Sequence, residues 1–157
     1  MKSIYFARHS FADSNYSDSD FEREISQEGF LRIEEQIELM QQFDINIDHL
    51  ITSQAVRTQQ TTNRYESFLN IHSKEIHYWL YESYLTQEFL EFIQKQNPKH
   101  NEIMVVGHNP TISFMGSHYS NKKNYSFYPG AILKLDFNID DWASIELRSG
   151  LEDFYLK

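Results

Sequence analysis

Four residues of this chain have the types that phosphoryl chemistry asks for, and each stands at or just beyond the end of a short apolar run. Arg8 and His9 close the run Ile4-Tyr5-Phe6-Ala7. Arg57 lies shortly after Leu50-Ile51-Thr52, and His108 follows Ile103-Met104-Val105-Val106-Gly107. A guanidinium holds phosphate oxygens in a bidentate fork, and a neutral imidazole can attack as a nucleophile and carry a covalent intermediate. Singly, each has a plainer reading: most strand-end histidines are satisfied by hydrogen bonds, and most helical arginines are solvated. Together at one edge of a sheet, two arginines and two histidines form a pocket for a tetrahedral dianion. Phosphoryl transfer needs chiefly positioning and charge stabilisation, which such a set supplies without a metal.

Strands must bring these residues together. Ser3–Ala7 reads as a buried strand, His49–Thr52 as a second, Ile76–Leu80 as a third, and Ile103–Val106, continuous and apolar, as a strand buried on both faces. Between them the 3.6-residue spacing of Phe30, Ile33, Ile37 and Met40 predicts a helix over Gly29–Met40. Ser53 is placed to cap a second helix through Arg57, Thr61 and Tyr65 to about Leu69, and Thr86 a third in which Phe89, Phe92 and Ile93 share a face. Pro110 suits the first turn of a further helix, with Asn109 as its cap. Residues 10–26 and 118–126 read as polar loops, and Ala131–Phe137 with Ala143–Leu147 as a hairpin turning at Asn138–Asp141. Strands alternating with helices predict an α/β fold around a mostly parallel sheet. Ligands of such sheets sit at the carboxyl ends of the strands, where these four residues fall.

Composition narrows the partners. The chain has 157 residues, 40% hydrophobic and 15% aromatic, enough for one domain, 1–157, with a packed core. A net charge of −9 argues against nucleic acid and anionic membranes as partners. The absence of cysteine excludes disulfides and thiolate chemistry. With no long apolar stretch, the expected setting is the cytoplasm. His72 and His77 lack the helical spacing of a zinc pair, and no metal site is expected.

The ordered motifs resemble a family. Ala7-Arg8-His9-Ser10 is similar to the Arg-His-Gly signature of the histidine phosphatase superfamily, also called phosphoglycerate mutase-like. Ser53-Gln54-Ala55-Val56-Arg57-Thr58-Gln59-Gln60-Thr61 resembles its Ser-Pro-x-x-Arg-x-x-x-Thr segment, and Gly107-His108-Asn109-Pro110 its Gly-His-Asn-Pro form. The length, and the stretch from Asp20 to Gly29, resemble the small branch of SixA-type phosphohistidine phosphatases. The resemblance implies a three-layer α/β/α sandwich and a phosphatase with His9 as nucleophile. Arg8, Arg57 and His108 would hold the phosphoryl group, and no cofactor would be needed. The implied substrate is a phosphorylated protein such as a histidine phosphotransfer domain.

Departures from the pattern bear on the chemistry. Ser10 stands for a glycine, and its hydroxyl is a candidate phosphate contact. Gln54 and Glu24 each replace a proline. The general acid of larger members has Glu82 as its nearest candidate here. Cleaving a P–N bond to an imidazole that already carries a proton needs such an acid far less than expelling an alkoxide. A small phosphomonoester as substrate, or a catalytically weak phosphate-binding module, are the alternative readings. Around the site, Asp20 and Arg23 are expected as a paired, solvated rim, Tyr78, Trp79, Tyr81 and Tyr84 as core and pocket wall, and Tyr125, Phe127 and Tyr128 as candidates for the pocket mouth.

Overall fold

In chain order, among the described residues, the computed structural model has strands β1 (Lys2–Arg8), β2 (Asn46–Ile47), β3 (His49–Thr52), β4 (Asn70–Ile71), β5 (Lys74–Ile76), β6 (Glu102–Gly107), β7 (Ile132–Phe137) and β8 (Leu151–Leu156). The helices are α1 (Gln27–Met40), α2 (Val56–Glu66), α3 (Trp79–Glu82), α4 (Thr86–Gln94) and α5 (Thr111–Tyr119). The described residues are 1–14, 19–82, 86–122 and 124–157, without the side chains of Glu82 and Thr86; Tyr84 lies outside them.

Among these residues six strands form one sheet in the order β5-β3-β6-β1-β7-β8. The β5-β3-β6-β1 part is parallel, and β7 and β8 add antiparallel strands at one edge. Parallel strands need crossovers, which α1, α2 and α4 supply, so both faces are covered. Alternate residues of β1 point to opposite faces and sort into separate cores. Ile4 and Phe6 pack with Ile51, Phe89, Ile112 and Met115 on the side of α4 and α5. Tyr5 and Ala7 pack with Ile33, Ile37, Met40 and Tyr65 on the side of α1 and α2. This is the expected three-layer α/β/α sandwich. Burying a side chain such as Ile33 or Met40 contributes about 1.5–3 kcal/mol, so each crossover helix is held mainly by its apolar stripe.

Several local expectations are corrected. The strand expected at Ile76–Leu80 lies at Lys74–Ile76, pairing with β3, and Trp79–Glu82 is a helical turn that buries Leu80. A short apolar run does not by itself distinguish strand from helix. Residues Ala143–Leu147 are not a strand. Trp142–Ser144 forms a 3-10 turn around the buried Trp142, and the hairpin partner of β7 is β8, in which Glu152 and Asp153 are exposed. Phe30 is 37% exposed, because the buried stripe of α1 runs through Gly29, Ile33, Gln36, Ile37 and Met40. Ser26 caps α1, its hydroxyl accepting from Gly29 N at 3.0 Å. Ser53 does not cap α2; Ala55 occupies that position, with no side-chain bond. Asn109 does not cap α5, whose N-cap is Pro110. Both Ser53 and Asn109 have hydrogen bonds elsewhere, at the site.

Candidate active site

The carboxyl ends of β1, β3 and β6 lie side by side. Arg8 pairs with Gly107 across β1 and β6, and His9 N donates to Gly107 O at 3.0 Å. On the other flank Arg8 N donates to Ala131 O at 3.0 Å, and Gly130 N to His9 O at 3.1 Å. Gly130 makes this turn at φ +80, where a side chain would be strained and would crowd Arg32. Gly29 serves the same loop from α1: a Cβ there would lie 2.1 Å from Phe11 O, so only glycine lets the helix start this close. The backbone around His9 is therefore set on both sides.

These ends enclose a cleft of about 370 Å³ lined by Arg8, His9, Asp20, Arg23, Arg57 and His108, among others. His9 is 8% exposed and forms the floor. Its Nδ1 is 2.7 Å from Ser10 O; a carbonyl only accepts, so Nδ1 carries the proton and Nε2 the lone pair. Arg57 Nε donates to that Nε2 at 3.3 Å. Burial first, then the charges of Arg57, Arg8 and Arg23, pull the His9 pKa down to about 3, so the ring is neutral. His108 stands beside it, ring centroids 5.0 Å apart. Burial, then His9 and Arg57, depress its pKa to about 3 as well. Its Nε2 is 2.6 Å from Ser53 Oγ, which in turn is 2.8 Å from Thr58 Oγ1. The hydroxyl expected at a helix cap thus orients a histidine.

The two arginines are held differently. Arg8 Nη1 donates to Phe127 O at 2.8 Å, and Asn109 Nδ2 donates to the same carbonyl at 2.8 Å. Burial, then Arg57, lowers the Arg8 pKa. Arg57 follows Val56 in the first turn of α2 and meets Asp20: Nη2 donates to Asp20 Oδ2 at 2.9 Å, and Nη1 donates to the Asp20 carbonyl. Asp20 Oδ1 also accepts from Arg23 Nη1 at 3.1 Å, and Oδ2 from Tyr81 OH at 3.0 Å. Partial burial would push the Asp20 pKa up, but the bonds from Arg23 and Tyr81 and the Arg57 charge outweigh it and hold the pKa at about 2.

The structure brings Arg8, His9, Arg57 and His108 into one cleft. Ser10 lines it too, but its hydroxyl donates to Gly29 O at 2.8 Å and its N–H to Thr61 Oγ1 at 3.2 Å. Glu82 ends α3, directly after Tyr81; its side chain is outside the described residues. Asp20 and Arg23 form the expected ion pair, yet they line the cleft instead of a solvated rim apart from it. Tyr81 is not in the lining of the cleft but stands against it, its ring edge-on to His108 at 5.2 Å and its hydroxyl on Asp20. Tyr125 and Tyr128 are not at this mouth. They line a separate cleft of about 590 Å³ with Lys122 and Tyr155, while Phe127 is buried and offers only its carbonyl to Arg8. The contacts of Asp20 with Arg57 and of Ser53 with His108 were missed from sequence, since each spans a separation of 37 or 55 residues.

No family model matches this chain, and no curated protein matches it by sequence. Solved structures do. The protein histidine phosphatase SixA complexed with tungstate superposes with a TM-score of 0.84 at 17% identity, covering 98% of this chain and 96% of that one. A protein assigned as phosphohistidine phosphatase SixA from Agrobacterium tumefaciens gives 0.83 at 21% identity, covering 99% and 97%. Mycobacterial glucosyl-3-phosphoglycerate phosphatase gives 0.66 at 10%, covering 94% and 96%. This chain, with its six-stranded sheet, has the fold of these SixA structures.

Proposed function

We propose that this chain is a phosphohistidine phosphatase that works through a covalent intermediate on His9. The observation that carries this is the state of His9: a buried, neutral imidazole with Nδ1–H fixed on Ser10 O and the Nε2 lone pair among arginines. The likeness to SixA structures, one of them holding tungstate, supports the same reading.

In this mechanism a phosphoryl group enters between Arg8, Arg57 and His108, and its oxygens take over the long Arg57–His9 hydrogen bond. His9 Nε2 attacks phosphorus in line as the bond to the leaving nitrogen breaks. A substrate imidazole protonated on its other nitrogen departs neutral and needs no acid. Phospho-His9 is then itself an imidazolium, with Nδ1–H still on Ser10 O. Water attacks phosphorus, the Nε2–P bond breaks, and His9 returns to the neutral form with Nδ1 protonated; the water's proton leaves with the phosphate. Both half-reactions therefore expel a neutral imidazole. An alkoxide leaving group would need a proton from elsewhere. Asp20, held ionised, has none to give; for esters the acid we assign is Glu82, the candidate that the resemblance suggests. Ser10 positions the His9 loop through its bonds to Gly29 and Thr61. The substrate we assign is a phosphohistidine on a protein, such as a histidine phosphotransfer domain.

Acid-quench trapping with labelled phosphohistidine substrate tests this. The expected result is an acid-labile phosphoenzyme with the label on His9. Label mapped to any other residue overturns the mechanism.

A further inference from the structure

Asp20 is the one acidic side chain among the described residues that line the cleft, and it is spent on cations. It takes Arg57 Nη2 at 2.9 Å, Arg23 Nη1 at 3.1 Å and the Tyr81 hydroxyl at 3.0 Å. Its side chain is 48% exposed while that of Arg57 is 7% exposed, so the carboxylate sits at the rim and the guanidinium below it. With His9 on the floor, in-line attack sends the leaving group towards this rim. The lining there carries Arg8, Arg23 and Arg57 against one carboxylate. The excess of two positive charges matches one phosphoryl dianion and leaves nothing for a second anion. The Arg23 guanidinium is held at the cleft wall on two sides, since Nε also donates to Asp13 O at 3.0 Å.

We infer that Asp20 is a specificity-determining residue: by holding Arg23 and balancing its charge, it excludes substrates whose leaving group bears a second anionic group next to the phosphoryl. The inference rests on the phosphatase reading and names its substrate class. The phosphoryl group must be attached to a neutral or cationic remainder, as in phosphohistidine, and not to a bisphosphate or a phosphorylated carboxylic acid. Like charges held a few ångströms apart at a partly exposed rim still repel, so the Asp20 carboxylate acts against a second anion there.

Equilibrium binding of methylphosphonate and methylenediphosphonate separates the possibilities, because the two probes differ by one anionic group and neither can be hydrolysed. The wild-type protein should bind the diphosphonate no more tightly than the monophosphonate. In Asp20→Asn the ratio of the two Kd values should move at least ~10-fold towards the diphosphonate. Asp20→Ser should shift it likewise, so the result does not hang on the folding of one variant. Adding Arg23→Gln to Asp20→Asn should abolish the gain. A ratio unchanged in both Asp20 variants while methylphosphonate still binds overturns the role of Asp20 alone. Failure of the wild-type protein to bind methylphosphonate overturns the phosphate pocket and this inference with it.

Discussion

The floor and the rim of the cleft are built from similar residues held in opposite ways. On the floor, His9 is oriented by Ser10 O, His108 by Ser53 Oγ and Arg8 by Phe127 O, all neutral partners on or next to sheet strands and their turns. At the rim, Asp20 and Arg23 orient each other through charge, with Tyr81 as the neutral member, and Asp20 reaches down to the buried Arg57. A backbone carbonyl cannot titrate, and a sheet edge does not move with ionic strength. A half-exposed ion pair is weaker and more easily exchanged for a ligand. The floor is thus suited to chemistry that must not vary, and the rim to the choice of what enters.

The largest effect should come from the floor. His9→Ala should lower kcat/KM by at least ~10³-fold, as loss of a nucleophile does, while leaving the thermal midpoint unchanged or higher, since it removes a buried imidazole among guanidiniums. Residual activity within tenfold of the wild type would mean that the floor does not do the chemistry.

The pH dependence of stability should separate floor from rim. Folding depresses the pKa of His9 and of His108 from 6.5 to about 3, through burial first and the neighbouring charges next. Between those values the unfolded chain binds protons that the folded chain refuses, so this contribution to stability is full above pH 6.5 and is lost as the pH falls towards 3. Asp20, depressed from 3.8 to about 2, keeps its contribution down to pH 3.8 and loses it only below. Urea unfolding between pH 4 and 7 should show a shallower slope for His9→Ala than for the wild type. Identical slopes would remove the floor histidines as the cause.

The smallest effect belongs to the rim. Tyr81→Phe deletes the bond to Asp20 but keeps the ring against His108. A partly exposed hydrogen bond of ~0.5–1 kcal/mol corresponds to a change of about threefold in kcat/KM. A loss near that of His9→Ala would erase the distinction between rim and floor.

Arg8, His9, Arg57 and His108 were legible because each follows an apolar run or opens a helix after one, and parallel strands carry their ends to one edge. The strand at Lys74–Ile76 was hidden: as an edge strand it leaves Ile76 52% exposed and has no apolar face to announce it. β8 was hidden in the same way, with Leu151, Glu152 and Asp153 all exposed. Ser53 was misread because a serine before a helix is an ordinary cap signal, and only its approach to His108 shows its other use.

By itself the order of residues determined which groups meet at the strand ends, because alternation and apolar runs are local and the direction of a parallel strand leaves one edge for its last residue. Only the tertiary structure decided which nitrogen of His9 bears the proton, which carbonyl steers Arg8, and that Asp20 closes on Arg57 and Arg23. Those depend on distances of about 3 Å between residues far apart in the chain, and burial among the assembled charges sets their ionisation.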